Sequence, residues 1–203
     1  LENIEGGVVD LTGLSQYYIY NATVANRDSI RDAAIANPAA FLWRDDAINI
    51  YINGGTGSAI SDFPPSNNMI LMNQGCTNTP SCILHELGHS LHLYHTHETA
   101  GSDGGDECSD TITDSQNWSK DQVANNNYGC LYANCSAAQQ TAVDLVFNDI
   151  MSYHVSEPQR KITTCQKGRV STQGDSDRAW LLSKQPVYVR NTYPGQPAFI
   201  EFG

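Results

Sequence analysis

The sequence predicts a single α+β domain over residues 1–203, built as two lobes, 1–95 and 96–203. Three observations carry this. Two short strand-like runs, Ala47–Ile52 and Met69–Asn73, stand in the first half. A helix-period segment crowded with histidine follows at 83–93. Beyond His95 the chain turns rich in glycine, asparagine, serine and cysteine, as an irregular, covalently braced lobe would be.

The elements follow in order. Residues 28–42 place Ile30, Ala33, Ala34 and Phe41 at helical spacing, and Pro38 either kinks that helix or opens a second short one. Ala47–Ile52 reads as a strand, and Gly57–Ser61, which runs on to Pro64-Pro65, as an edge segment before the strand at Met69–Asn73. Leu84, Leu87 and Leu91 give the histidine segment an apolar face. The stretch after His95 is loop as far as a helix at 136–147, and another short helix covers 175–183. Internal repeats and low-complexity linkers are absent, so the lobes belong to one domain.

Charge and cysteine content narrow the setting. A net charge of −11 and a pI of about 4.7 argue against nucleic acid, because no basic patch is available to displace phosphate counterions. No apolar run approaches the eighteen or so residues of a membrane span. Six cysteines without a C-x-x-C pair suggest three disulfides and an oxidising, extracellular setting. Of the fifteen or so pairings that six cysteines allow, Cys76–Cys82 is favoured as a staple on the loop entering the histidine helix. The chain opens on Leu1 with no leader or propeptide recognisable before it, which reads as a processed, mature form.

The histidine segment, His85-Glu86-Leu87-Gly88-His89-Ser90-Leu91-His92-Leu93-Tyr94-His95, carries the chemistry. Residues four apart on a helix are about 400° and 6 Å apart, so His85 and His89 project from one face and can share a zinc ion. Glu86 sits beside that face, where it can take a proton from metal-bound water without being a ligand. His95 follows His89 by about 600° of helical rotation, which would aim it away. The helix must therefore stop between them for His95 to be the third ligand. His92 shares the helix face as a rival third ligand, but it would stand about 10.5 Å along the axis from His85, a poor span for two short bonds to one ion. The bland alternative, a histidine-rich core helix, explains the leucines but not the placement of Glu86.

Further on, Asn148-Asp149-Ile150-Met151-Ser152-Tyr153 has a buried-type methionine followed two residues later by a tyrosine. Together the two segments resemble the metzincin peptidases, whose H-E-x-x-H-x-x-G-x-x-H pattern and Met-turn they follow. Among metzincins the resemblance is to the pappalysin family, with its cytophagalysin and ulilysin-like members. It runs from about residue 45 to 170, through Ala47–Tyr51, Tyr94-His95-Thr96, Gly105–Thr111, the Met-turn and Ile162–Val170. The chain departs from that pattern at His92 where a glycine makes the turn, at Ser90, and at Ile112 in place of proline.

The resemblance implies a secreted zinc endopeptidase of EC 3.4.24 type. It further implies a metzincin-like zincin fold: a twisted mixed sheet plus active-site helix in the N-terminal lobe, and an irregular disulfide-braced C-terminal lobe holding the Met-turn. One zinc would be held by His85, His89 and His95 over Met151, with Glu86 as general base and Tyr153 on the metal or on the oxyanion. Gly57–Ser61 would be the edge strand that binds an extended peptide. The family's interlaced pairing implies disulfides Cys108–Cys135 and Cys130–Cys165. Calcium is a second candidate cofactor: Glu98, Asp103, Asp106, Asp110 and Asp114 offer hard oxygen ligands, and the family has calcium in this neighbourhood, although a solvated acidic loop accounts for the same residues. The substrate would be a protein or peptide. Two other classes stay open: a zinc-bearing binding or adhesion module with impaired catalysis, and a zinc hydrolase acting on a non-peptide bond or a peptidase with a different third ligand such as Glu107.

Overall fold

Thr23 sets the start of the first helix, earlier than apolar spacing alone indicates. Its Oγ1 accepts from the Asn26 N–H at 3.3 Å and caps α1, Val24–Ala36. Arg27, Ile30 and Ala34 form its buried face. Pro38 opens a second short helix, α2 (Pro38–Phe41), at a position where its missing N–H costs nothing. The computed structural model describes residues 2–3, 7–8, 20–61, 63–65, 68–98, 105–154 and 161–177. These fall into two compact units, one within residues 1–78 and one comprising Thr79–Asp177.

The first unit holds a short antiparallel pair, β1 (Glu2–Asn3) with β2 (Gly7–Val8), and a three-stranded mixed sheet. In that sheet β5 (Met69–Asn73) is central. It runs parallel to β3 (Asn49–Asn53), with Asn49 opposite Met69, and antiparallel to β4 (Ala59–Ile60) on its other side. Met69, Ile70, Leu71 and Met72 are all buried, the unbroken apolar run expected of a strand covered on both faces. Tyr51, Met69 and Leu71 pack with Ile30, Ala34, Phe41 and Trp43 into one core, and the Tyr51 hydroxyl donates to the Phe41 carbonyl at 2.8 Å. Burial of each of Ile30, Phe41, Met69 and Leu71 contributes about 1.5–3 kcal/mol. The strand expected at 47–52 begins at Asn49, whose amide side chain is buried and instead closes the preceding loop onto the Arg44 and Ala47 carbonyls.

The second unit contains α3 (Pro80–Ser90), α4 (Lys120–Tyr128), α5 (Ala137–Asn148) and α6 (Thr164–Asp177). The helix at 136–147 appears as α5, capped by Ser136 and Gln139 in a reciprocal capping box. Between His95 and α5, where the sequence reading expects only loop, the structure has α4. Its weakly apolar sequence hides it from a periodicity search, although Ser119 and Gln122 form the same capping box. Val123, Ala124, Val143 and Phe147 form the core between α4 and α5. The helix expected at 175–183 is entered at Thr164 and followed to Asp177, and 178–183 lie outside the described residues. The division also differs from lobes at 1–95 and 96–203. The histidine helix α3 groups with the chain after His95, because its glycine and histidines pack on that chain, as described next.

Candidate metal centre

Helix α3 starts with Pro80 in its first turn and stops one residue past the second histidine. Leu91 N–H turns back to the Leu87 and Gly88 carbonyls at 3.0 Å, and Leu93 N–H reaches Gly88 O at 2.9 Å. Between them His92 adopts φ 71, the left-handed conformation that glycine supplies most easily. The turn that the ligand spacing requires is thus made by a histidine. It carries the chain around so that His95 returns to the helix face. His95 Nε2 lies 3.1 Å from His85 Nε2 and 3.0 Å from His89 Nε2. His92 is not in this group, and its ring faces Tyr94 at 6.1 Å.

The protons on these rings follow from their outer partners. His85 Nδ1 contacts the Ile150 carbonyl at 2.7 Å and His89 Nδ1 the Leu93 carbonyl at 2.8 Å. Carbonyls only accept, so both Nδ1 atoms carry hydrogen and both Nε2 atoms present lone pairs. His95 Nδ1 lies 3.4 Å from Glu98 Oε1, while Glu98 Oε2 accepts from the His95 backbone N–H at 3.0 Å, giving the third ring the same orientation. Burial pushes the pKa of all three rings down, to about 3 for His89 and His95, and the charge of neighbouring histidines adds to it, from His97 on His85, from His85 and His95 on His89, and from His85 and His97 on His95. Three neutral imidazoles therefore aim lone pairs at one point from about 3 Å apart, a repulsive arrangement unless a cation occupies that point. Tetrahedral zinc at 2.0–2.1 Å sets its ligand nitrogens about 3.3 Å apart. The donor set fits zinc.

Glu86 and Tyr153 flank this cluster. Glu86 is buried on α3, and its charge reaches the Tyr153 phenol, whose pKa is raised by burial first and then by Glu86 and Glu98. The Tyr153 ring lies 4.7 Å from that of His95 and 5.5 Å from that of His85. His97, unremarked in the sequence, stacks on His95 at 4.9 Å and 19° and meets Tyr153 at 4.7 Å. Nothing in its spacing distinguishes it from a surface histidine.

The turn at Asp149–Ser152 supports the helix from beneath. Ser152 N–H donates to Asp149 O at 3.1 Å, Met151 N–H to Asp149 Oδ1 at 2.8 Å, and Ile150 N–H to Lys161 O at 2.9 Å. Met151 is fully buried, and a Cβ added at Gly88 would run into its sulfur. Gly88→Ala is therefore expected to lower the melting temperature. Alanine gains about 1 kcal/mol of helix propensity, but overpacking against a fully buried methionine costs about 1–3 kcal/mol. Thermal unfolding of the metal-free protein checks the sign.

Asp149 itself is fully buried, and burial raises its pKa to about 7. The Met151 N–H and Gln166 offset this only in part, the charges of Asp106 and Asp110 add to it, and Asp149 Oδ2 is without a hydrogen-bond partner. A carboxyl whose folded pKa exceeds its unfolded value of about 3.9 favours folding in its protonated form. Stability from this group is thus complete below about pH 4 and declines as pH rises to about 7. Asp149→Asn keeps the acceptor for Met151 and removes the charge. It is expected to stabilise the protein by about 1–3 kcal/mol at pH 8 and by little at pH 4, read from denaturant melts at the two pH values.

The acidic residues considered for calcium disperse. Glu98 serves His95, as above. Asp106, buried, accepts from Cys108 N–H at 3.1 Å, the Thr111 hydroxyl at 2.5 Å and Gln166. Asp110 accepts from Cys165 N–H at 2.9 Å, and Asp114 accepts from Thr96 and His154. Asp103 lies outside the described residues. Among the described residues no three of these carboxylates converge on a common point. Glu107, the rival zinc ligand, pairs with Arg169 at 2.9 Å and is not in the histidine cluster.

The disulfides correct the pairing implied by resemblance. Cys108–Cys135 and Cys130–Cys165 are replaced by Cys108–Cys165 and Cys130–Cys135, with Cα separations of 5.5 and 5.6 Å. The tight turn at Tyr132–Asn134, in which Cys135 N–H returns to Leu131 O at 3.1 Å, brings 130 and 135 together. Asp110 holds Cys165 beside Cys108. Cys76 and Cys82 are also disulfide-bonded, consistent with the expected staple, and no cysteine is free.

Residues 66–157 match the family model described as Pregnancy-associated plasma protein-A, Peptidase_M43. This segment is of metallopeptidase type. The metallopeptidase segment contains all of the site described above, from His85 and Glu86 to Tyr153. Searches of curated proteins and of solved structures gave no match.

Proposed function

We propose that this chain is a secreted zinc endopeptidase of the ulilysin-like pappalysin type, with His85, His89 and His95 as metal ligands and Met151 as the floor of the site. The observation that carries the reading is the convergence of three histidines, with His95 Nε2 at 3.0 Å from His89 Nε2 and 3.1 Å from His85 Nε2 and each ring met by a partner on its other nitrogen. Zinc bound there supplies Lewis acidity, lowering the pKa of a water towards about 7 and polarising a carbonyl. Glu86 accepts the proton that the attacking water loses and delivers it to the leaving amine. Tyr153, held protonated by its raised pKa, donates its hydroxyl hydrogen to the oxyanion. Glu98 keeps the His95 ring in register, and the Ile150 carbonyl does the same for His85. The fully paired cysteines support an extracellular setting.

The test is cleavage of a diverse peptide mixture by zinc-loaded protein, with products identified by mass and a chelator-stripped sample as control. Cuts that vanish on stripping and return with zinc are expected. A protein that holds one zinc per chain and cuts nothing would overturn the peptidase reading in favour of a zinc-bearing binding module.

A further inference from the structure

We propose that Asp114 is a positioning residue of this site, a buried strut that ties the segment carrying His95 to the turn carrying Tyr153. The inference rests on the zinc-peptidase reading. The Asp114 side chain has 0% exposure and commits both oxygens. Oδ2 accepts the Thr96 hydroxyl hydrogen at 2.9 Å, and Oδ1 accepts from His154 Nε2 at 2.7 Å. Thr96 directly follows His95, and His154 directly follows Tyr153. One carboxylate thus holds the neighbour of a metal ligand and the neighbour of the oxyanion donor.

Both arms are locked at their far ends. Thr96 is fully buried, and its N–H donates to the Met151 carbonyl at 3.2 Å. The His154 ring lies flat on Phe147, 3.8 Å between centroids and 7° between planes, and the His154 backbone N–H donates to Ser152 Oγ at 3.0 Å. His97, wedged between His95 and Tyr153, feels the charges of both Asp114 and His154. Buried ionic and polar contacts of this kind add little net stability over an apolar replacement. They do fix geometry, and a shift of about 1 Å at a reacting group costs about 100-fold in rate. The contacts also account for Asp114 without calcium, since both its oxygens are already taken by protein donors.

The experiment uses Thr96→Val, His154→Phe and Asp114→Ala in the full chain. Zinc affinity is measured by chelator competition, and kcat and KM on a peptide found in the mixture. Removing a hydrogen bond that orients a ligand from behind costs about 10–100-fold in metal affinity or activity. Thr96→Val is expected to weaken zinc binding and lower kcat by about tenfold each. His154→Phe keeps the stack on Phe147, so it should leave zinc affinity within about twofold and lower kcat by about tenfold. That kcat loss should disappear in a Tyr153→Phe background, because both changes act on one phenol. Asp114→Ala should combine both effects and gain nothing further from Thr96→Val. If it fails to fold, Asp114→Asn, which keeps the volume and one acceptor, replaces it. Unchanged zinc affinity in folded Thr96→Val, or a His154→Phe loss that persists without the Tyr153 hydroxyl, would overturn the proposal. The zinc measurement needs no turnover. Wild-type protein that cuts nothing, with zinc weakened in Thr96→Val, would therefore defeat the peptidase reading while sustaining the link from Asp114 to His95.

Discussion

Replacing Glu86 with glutamine is expected to lower kcat by a factor on the order of 10³ while leaving zinc bound. Glutamine matches glutamate in shape and keeps an acceptor oxygen, so helix α3 and the three histidines beside it are undisturbed. On the proposed mechanism, what it loses is the ability to hold a proton between water and leaving amine. The Nε2 atoms of His85, His89 and His95 point at one another, and the Tyr153 phenol has a raised pKa and is already protonated at neutral pH. The acid limb of the kcat/KM profile should vanish with the carboxylate, since that limb reports the free enzyme's base. Metal content by atomic absorption and product yield by mass spectrometry decide the matter. A Glu86→Gln protein with full zinc and more than about a tenth of wild-type turnover would remove Glu86 from the mechanism.

The grouping of the three histidines was legible because it depends on spacing along one helix and one turn. His85, Glu86 and His89 need only helical geometry, and rotation requires a stop before His95; the place of the turn, His92 at positive φ, is legible only through the metzincin pattern, which has glycine there. The strand at Met69–Asn73 and the helix beginning beside Ser136 were legible for the same local reason, an apolar run and a cap. What stayed hidden depends on contacts between distant parts of the chain. The acidic run after His95 looks like one calcium loop in sequence. In the structure Glu98 turns back to His95, Asp106 is buried against Gln166, and Asp114 reaches His154. Cysteine pairing is equally non-local: Cys108 meets Cys165 because α6 begins where Asp110 accepts its N–H. Likewise α4 is nearly all polar at its surface and shows its cap, Ser119 with Gln122, more clearly than its periodicity.

His95→Ala is expected to abolish tight zinc binding, and His92→Gly to leave it intact. The two residues are near in sequence and both are histidines, so the pair separates the turn from the ligand. His95 supplies one of three converging nitrogens, and its loss leaves two rings whose lone pairs still face each other with no third donor to complete the site. An affinity loss of at least about 100-fold follows from removing a direct ligand, since disturbing a residue merely behind a ligand already costs about 10–100-fold. His92 by contrast supplies only backbone. At φ 71 a residue with a Cβ bears about 1–2 kcal/mol of steric cost that glycine avoids. Glycine returns part of that as extra entropy of the unfolded chain, about 0.4–1 kcal/mol, so stability should rise by a few tenths to about 1 kcal/mol. Chelator competition on the two variants, with a denaturant melt of His92→Gly, gives both answers. Zinc retained in His95→Ala but lost in His92→Gly would move the third ligand onto the turn and undo the geometry on which the centre is built.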